Sequence, residues 1–243
     1  MKPRLKYLWF DLGYTLVKTN REQVYHSTLK QFQIDKTVAE ITLAYHMTDK
    51  LFMREYQGVL SKDHRVFLPW YIGCLNYYLD VSLPIDEVIT ASSVAAHERS
   101  GWAAFDFTIP TLRALRQQGY KLGLISNWNE TARAVLHANQ LAEELDNIII
   151  SSEVGIEKPN PAIFEAALRQ ANVTAEESLY IGDNYYDDVI GSGQVGMDCL
   201  LINPYGKQGI EELDYADVIS SIQEVSAYLA SRQPSILGEQ LTN

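Results

Sequence analysis

The residues best suited to chemistry stand at the ends of apolar runs. The stretch WFDLGYTLV, residues 9–17, is an apolar strand that ends on a carboxylate, Asp11, and turns at Gly13. LGLISNWNE puts Ser126 and Asn127 at the end of a second run. GIEKPNPAIFEAAL puts Lys158 just before a helix that opens on Asn160 and Pro161. LYIGDNYYDDV ends another run on Asp183, with Asp188 five residues later. A carboxylate nucleophile splits one difficult displacement into two easier ones. Two anions approach each other only when charge is neutralised, and Mg²⁺ does this with a few carboxylates, waters and a phosphate oxygen. Asp11, Asp183 and Asp188 are of the right type to supply those carboxylates. Taken singly, each group has a plainer reading. Ser126–Asn127 is an ordinary turn, Lys158 a surface lysine, and Asp183 with Asp187–Asp188 helix-capping chemistry.

What gathers them is the order of elements. Continuous apolar runs at Tyr7–Leu12, Lys121–Ser126, Asn147–Ser151, Ser178–Gly182 and Asp198–Ile202 read as buried strands, with a sixth near Ala216–Ile219. Helical spacing over Thr111–Gln118, Glu130–Ala138, Pro161–Asn172 and Asp187–Val195 separates them, and a stop glycine falls in QQGYK. Buried strands alternating with helices predict an α/β fold with a parallel sheet covered on both faces. Residues 18–100 differ, with helical spacing in four segments and breaks at Gln33–Lys36, Gly58–Ser61 and Ser82–Pro84. A helical insertion is therefore expected after the first strand, at the sheet end where ligands bind, placed to act as a lid. Parallel strands ~4.8 Å apart bring the polar tips within reach of one phosphate.

Asp11…Thr15, Ser126, Lys158 and Asp183…Asp188, in that order and with an insertion after the first strand, resemble the haloacid dehalogenase superfamily, whose members are mostly phosphatases. The resemblance spans the core. It implies a Rossmann-like core over 1–17 and 101–243 and an inserted all-helical cap domain over 18–100. By the same resemblance Asp11 is the nucleophile, Ser126 holds a phosphate oxygen, and Lys158 neutralises the nucleophile–phosphate cluster. Thr15 hydrogen-bonds near the nucleophile, and Asn127 is a substrate-binding candidate beside Ser126. Mg²⁺ is held by Asp11, Asp183, Asp188 and the carbonyl of Gly13, with Asp187 the alternative to Asp188.

Family phosphatases usually read D-x-D-x-T, and the second aspartate is the general acid/base. Here Gly13 stands in its place. Such help is worth ~10²–10⁴ in rate, whereas phosphoryl transfer draws most of its catalysis from positioning and charge neutralisation. Aryl or anomeric leaving groups therefore suffer least. Tyr14, a phenol of pKa ~10, is a poor substitute base at neutral pH and is expected to pack under the cap. Asn129 and Asp187 are further candidates to orient water. The expectation is an Mg²⁺-dependent phosphatase acting on a small phosphorylated metabolite. Two alternatives stay open, a catalytically weakened phospho-ligand binding or regulatory protein and a 2-haloacid dehalogenase. The dehalogenase motif resembles D-x-Y-G-T, with Gly and Tyr in the reverse order, and dispenses with Mg²⁺.

The whole chain sets the bounds. Its 243 residues are 47% hydrophobic and 21% charged, with net charge -11, a soluble globular composition that disfavours nucleic acid as a partner. Cys74 and Cys199 lack ligand spacing and read as small apolar residues. The basic head and apolar run at the start are interrupted by Asp11 without a cleavage site. No stretch approaches the ~18 apolar residues of a membrane span. Cytoplasmic residence is the expectation. GSGQVG, 191–196, matches a dinucleotide fingerprint, but Asp183–Val189 separate it from the preceding strand, so it reads as helix packing. The histidines read as packing or surface residues rather than ligands, and Trp70–Tyr71 and Tyr77–Tyr78 are expected to pack the cap or line its pocket. The tail, 231–243, is expected to add little to the core.

Overall fold

Strands covered by helices on both faces have no polar side to show, and the first strand illustrates the consequence. In the computed structural model, which describes residues 4–97 and 101–232, β1 (Tyr7–Phe10) is buried at every position. After it come β2 (Val17–Lys18) and four helices, α1 (Arg21–Gln31), α2 (Val38–Glu55), α3 (His64–Tyr78) and α4 (Ile85–His97). The chain continues through β3 (Ala103–Ala104), α5 (Thr108–Gln117), β4 (Lys121–Ser126), α6 (Ala132–Ala138), β5 (Asn147–Ile150), α7 (Ser151–Val154) and α8 (Pro161–Ala171). It ends with β6 (Ser178–Gly182), a π-helical turn at Tyr185–Val189, α9 (Ile190–Gly193), β7 (Asp198–Ile202), β8 (Val218–Ile219) and α10 (Val225–Arg232).

The main sheet has the order β5-β4-β1-β6-β7-β8, and all its pairings are parallel. From β1 the order runs outward through β4 and β5 on one side and through β6 to β8 on the other. The reversal beside β1 makes a crevice at the carboxyl ends, the place where open α/β sheets bind ligands. Side chains alternate across the sheet. Leu8 and Phe10 join Leu122, Leu124, Leu179 and Ile181 in one apolar layer, while Tyr7 and Trp9 join Ile125, Phe164 and Tyr180 in the other. Gly123 is required by this arrangement, because a Cβ there would lie 2.4 Å from the Trp9 ring.

The four helices α1–α4 form a block with its own apolar cluster, including Tyr25, Leu29, Ile41, Phe52 and Leu75. Thr37 and Glu40 cap α2 reciprocally, which fixes where that helix begins. The block joins the sheet through a small antiparallel ribbon in which Val17 pairs with Ala104 and Lys18 with Ala103. These two-residue strands carry no alternation to read, and the sequence pattern missed them.

Other boundaries move for local reasons. The first strand stops at Phe10 rather than Leu12, and β5 at Ile150, because Ser151 already opens α7. The helix expected over 130–138 starts at Ala132, and the one expected from Thr111 starts at Thr108, with Pro110 in its first turn. The helix expected over 187–195 is a π turn followed by a short α9. The sixth strand shrinks to Val218–Ile219. Of the aromatics expected to pack, Tyr71 is buried, but Trp70 is 57% and Tyr77 80% exposed, and Tyr78 is exposed as well. Residues 98–100 and 233–243, which include the expected end of the fourth helical segment and most of the tail, lie outside the described residues.

Candidate active site

Asp11 sits one residue beyond β1, held by its amide donating to the Ile181 carbonyl at 2.9 Å. Its carboxylate Oδ1 accepts from Lys158 Nζ at 2.8 Å. The same ammonium donates to Asp188 Oδ1 at 2.7 Å and to the Tyr180 hydroxyl at 3.0 Å. All three ammonium protons thus end on oxygen. The Tyr180 hydroxyl in turn donates a hydrogen bond to the Ile125 carbonyl at 2.7 Å. Burial alone would lower the Lys158 pKa, but the Asp11 and Asp188 carboxylates more than offset it and hold the ammonium well above its ordinary value. Lys158 is placed by Asn127, whose side-chain Oδ1 accepts from the Lys158 amide at 2.7 Å and whose Nδ2 donates to the Lys158 carbonyl at 2.9 Å. Both ends of the Asn127 amide are therefore used on backbone. Ser126 is buried at the β4 tip beside it.

Asp188 is fully buried. Its second oxygen accepts from the Asn184 amide at 2.9 Å, and the carboxylate fits only because position 182 is glycine. A Cβ there would lie 2.2 Å from Asp188 Oδ2. The π turn at 185–189 carries Asp188 to this point, and the neighbouring Asp187 accepts from Asn184 Nδ2 at 2.9 Å. Burial, reinforced by neighbouring carboxylates, pushes Asp183 and Asp187 up to about 7 against the pull of nearby lysines. Asn129 serves the adjacent loop, accepting from the Thr131 amide and hydroxyl.

No carboxylate stands at position 13, and the space beside it is aromatic. A Cβ on Gly13 would lie 3.3 Å from the Trp128 ring and 3.7 Å from Trp102. Those indoles meet edge to face at 4.7 Å between centroids. Tyr14, at φ 53°, has its ring under the Arg21 guanidinium, 4.3 Å from the centroid, and its hydroxyl 3.2 Å from Thr19 Oγ1. Burial pushes its phenol up to about 12, so it packs under the helical block and is no base at neutral pH. The Thr15 hydroxyl is buried without a hydrogen-bond partner among the described residues.

A cavity of about 370 Å³ opens from these tips toward the helical block, lined among others by Thr15, Arg21, His46, Lys50, Asp183 and Tyr205. Arg21 binds the Asp49 carboxylate and donates to the Tyr71 hydroxyl at 3.1 Å, while its guanidinium lies between the rings of Tyr14 and Tyr45. Lys50, on α2, donates to the Asp183 carbonyl. Sequence reasoning missed Lys50, Arg21 and the two tryptophans. A lysine in a helix otherwise marks a solvated face, and the only signal was His46 one turn before Lys50.

The donor set suits a hard divalent cation. Asp11, Asp183 and Asp188 set three carboxylates beside two lysines, Lys158 and Lys50, and burial, ahead of the neighbouring carboxylates, raises the Asp183 acid. The Gly13 carbonyl accepts no hydrogen bond among the described residues. No three acidic, imidazole or thiol side chains converge closely enough to enclose an ion by themselves, again among the described residues. A cation here must therefore complete its shell with backbone, water or substrate oxygen, as Mg²⁺ habitually does. Cys74 and Cys199 are free. In the glycine-rich stretch, Gly191 lies against Phe164 at a distance that excludes any Cβ, a packing role. No helix among the described residues is long and apolar enough to cross a membrane.

The chain is similar to known proteins over most of its length. The haloacid dehalogenase-like hydrolase family profile matches residues 8–202. A glyceraldehyde 3-phosphate phosphatase of Pyrococcus furiosus is 27% identical over 242 residues, covering 96% of this chain and 92% of its own. The crystal structure of a HAD phosphatase from Thermococcus onnurineus superposes with TM-score 0.55 at 25% identity, covering 93% of this chain and 98% of the other. A 2-haloacid dehalogenase from Pseudomonas syringae has the same fold, with TM-score 0.55 at 22% identity and coverage of 93% and 99%.

Proposed function

Because this chain belongs to the haloacid dehalogenase-like hydrolase family, we propose that it hydrolyses a small phosphomonoester through an aspartyl phosphate formed on Asp11. One observation carries the reading. Lys158 is shared between Asp11 and Asp188 beside a third carboxylate, Asp183, at the sheet's carboxyl edge. Halide displacement has no use for that surplus of acid groups, whereas a phosphoryl group with a divalent cation does. The Pyrococcus relative, named for a triose phosphate, supports a small substrate, as does a cavity near the lower end of the roughly 300–1,000 Å³ typical of ligand sites.

In this reading an Asp11 oxygen bonds to phosphorus as the ester P–O bond breaks, and the leaving oxygen takes a proton from water. Water then attacks the phosphorus, the Asp11–phosphorus bond breaks, and phosphate leaves with the carboxylate restored. Lys158 orients Asp11 and balances its charge, Asn127 holds Lys158, and Ser126 and Thr15 bind phosphoryl oxygen. Asp11, Asp183, Asp188 and the Gly13 carbonyl would hold Mg²⁺, which when bound neutralises charge between phosphate and nucleophile. With glycine at 13, leaving groups that need little protonation turn over fastest. The helical block acts as the cap.

The test is release of phosphate from p-nitrophenyl phosphate and a panel of small phosphates, with Mg²⁺ and with chelator, beside Asp11→Asn. Mg²⁺-dependent turnover that falls at least about a thousandfold in the variant supports the reading. Metal-independent halide release from a 2-haloacid, or silence across the panel from folded protein, would overturn it.

A further inference from the structure

Lys50 is the buried cation that the core motifs do not account for. It lies in the middle of α2 with a side chain 5% exposed, and it crosses from the helical block to the strand tips. Its stem runs over Gly209, where a Cβ would lie 3.0 Å from Lys50 Cβ and Cγ. One turn earlier His46 fixes the same face of α2 on the same loop, with Nε2 2.9 Å from the Gln208 carbonyl and its ring 4.7 Å from that of Tyr205. The ammonium is thus delivered by docking of the helix onto the core.

Its protons are poorly used. One goes to the Asp183 carbonyl. The Met53 sulfur, 3.8 Å away, is a weak acceptor, and Asp183 Oδ2 at 3.9 Å is beyond hydrogen-bond reach. An ammonium has three donors, and burying one short of acceptors costs stability that removal of the charge would recover. On the wall of the same cavity lies the Thr15 hydroxyl, buried and without a partner among the described residues. Two underused polar groups, one of them cationic, line one cavity together with Asp183. An anionic oxygen satisfies both.

We propose that Lys50 is a cap-borne phosphoryl-binding residue, which together with Thr15 contacts an oxygen of the substrate's phosphoryl group and of the phosphate released; this holds only if the site takes phosphate at all. Docking of α2 then completes the anion site, so closure and productive binding are one event. Hydrolysis itself proceeds as described for Asp11, with Lys50 supplying hydrogen bonds and charge and exchanging no atoms.

Calorimetric titration of the full chain with inorganic phosphate in the presence of Mg²⁺ measures this without turnover. Lys50→Met keeps the stem and removes the charge. Its phosphate affinity is expected to fall about ten- to a hundredfold, the range of a hydrogen bond to a charged group, with Lys50→Arg recovering part of the loss. The unfolding midpoint of Lys50→Met should be at least that of the wild type. Equal phosphate affinity in wild type and Lys50→Met overturns the assignment and leaves the phosphatase reading intact. So does a loss confined to esters bearing a second acidic group, which would place Lys50 on that group instead. Failure of the wild type to bind phosphate overturns both. If Lys50→Met folds poorly, Lys50→Gln gives the same discrimination.

Discussion

The strand tips and the helical block each bury a lysine, and they satisfy it differently. Lys158 gives its three protons to two carboxylates and a phenol, all carried by the core. Lys50 gives one proton to a carbonyl across the boundary and faces a cavity with the rest. Elsewhere in the block Arg21 is fully engaged by Asp49, Tyr71 and two aromatic faces. Arg21 lines the same cavity and is satisfied there, so the deficit is particular to Lys50. A saturated cation positions other protein groups, and an undersaturated one is set to meet a ligand.

The largest expected effect separates the two lysines directly. Lys158→Met leaves the fully buried Asp188 without its partner and should cost about 3–5 kcal/mol in denaturant unfolding, the usual penalty for orphaning a buried charge. Lys50→Met should leave the midpoint unchanged or raise it. Equal destabilisation by both would erase the distinction.

The next effect concerns the aromatic wall at position 13. Gly13→Asp alone should bring no gain on alkyl phosphates, because its Cβ meets the Trp128 ring at 3.3 Å and Trp128 is held by its Nε1 hydrogen bond to Thr131 and by Trp102. Combined with Trp128→Ala, turnover of alkyl phosphates should rise by about tenfold or more, within reach of what a general acid supplies. A gain from Gly13→Asp by itself would show that the indole yields.

The smallest effect lies at the docking face of α2. Burial holds the His46 imidazole below its ordinary pKa. An unfolded chain therefore binds the proton first, and this residue's contribution to stability is present above the unfolded pKa of about 6.5 and fades as pH falls through and below it. Asp183 and Asp187, raised to about 7, act with the opposite sign, since the folded state takes up their protons on acidification before the unfolded state does. The difference in unfolding free energy between wild type and His46→Gln, followed from pH 7.5 to about 5, isolates the histidine. It should shrink toward low pH, and a flat difference would remove His46 from the pH response.

Much of this was legible along the chain. Asp11, Lys158 and Asp183 were readable because each is fixed by a local event, a strand ending or a helix about to begin, and the parallel order then brings them together. Asp188 was preferred to Asp187 on the spacing of the family motif alone, and the π turn carries it there. Asn127 was legible as a polar tip, but its use on the Lys158 backbone depends on a loop 31 residues away. The ribbon of β2 and β3 was too short to carry a period. The exposed faces of Trp70 and Tyr77 could not be told from packed ones, because aromatic content reports apolar area without direction.

The sequence by itself determined the sheet, the insertion point and the chemical type of the strand-tip residues, since continuous apolar runs and their polar ends are properties of neighbouring positions. Only the tertiary structure decided that two indoles stand against Gly13 and that α2 brings Lys50 to Asp183, 133 residues away along the chain. Those contacts follow from how separate elements dock, and docking depends on shape complementarity between surfaces that leaves no periodic mark on either segment.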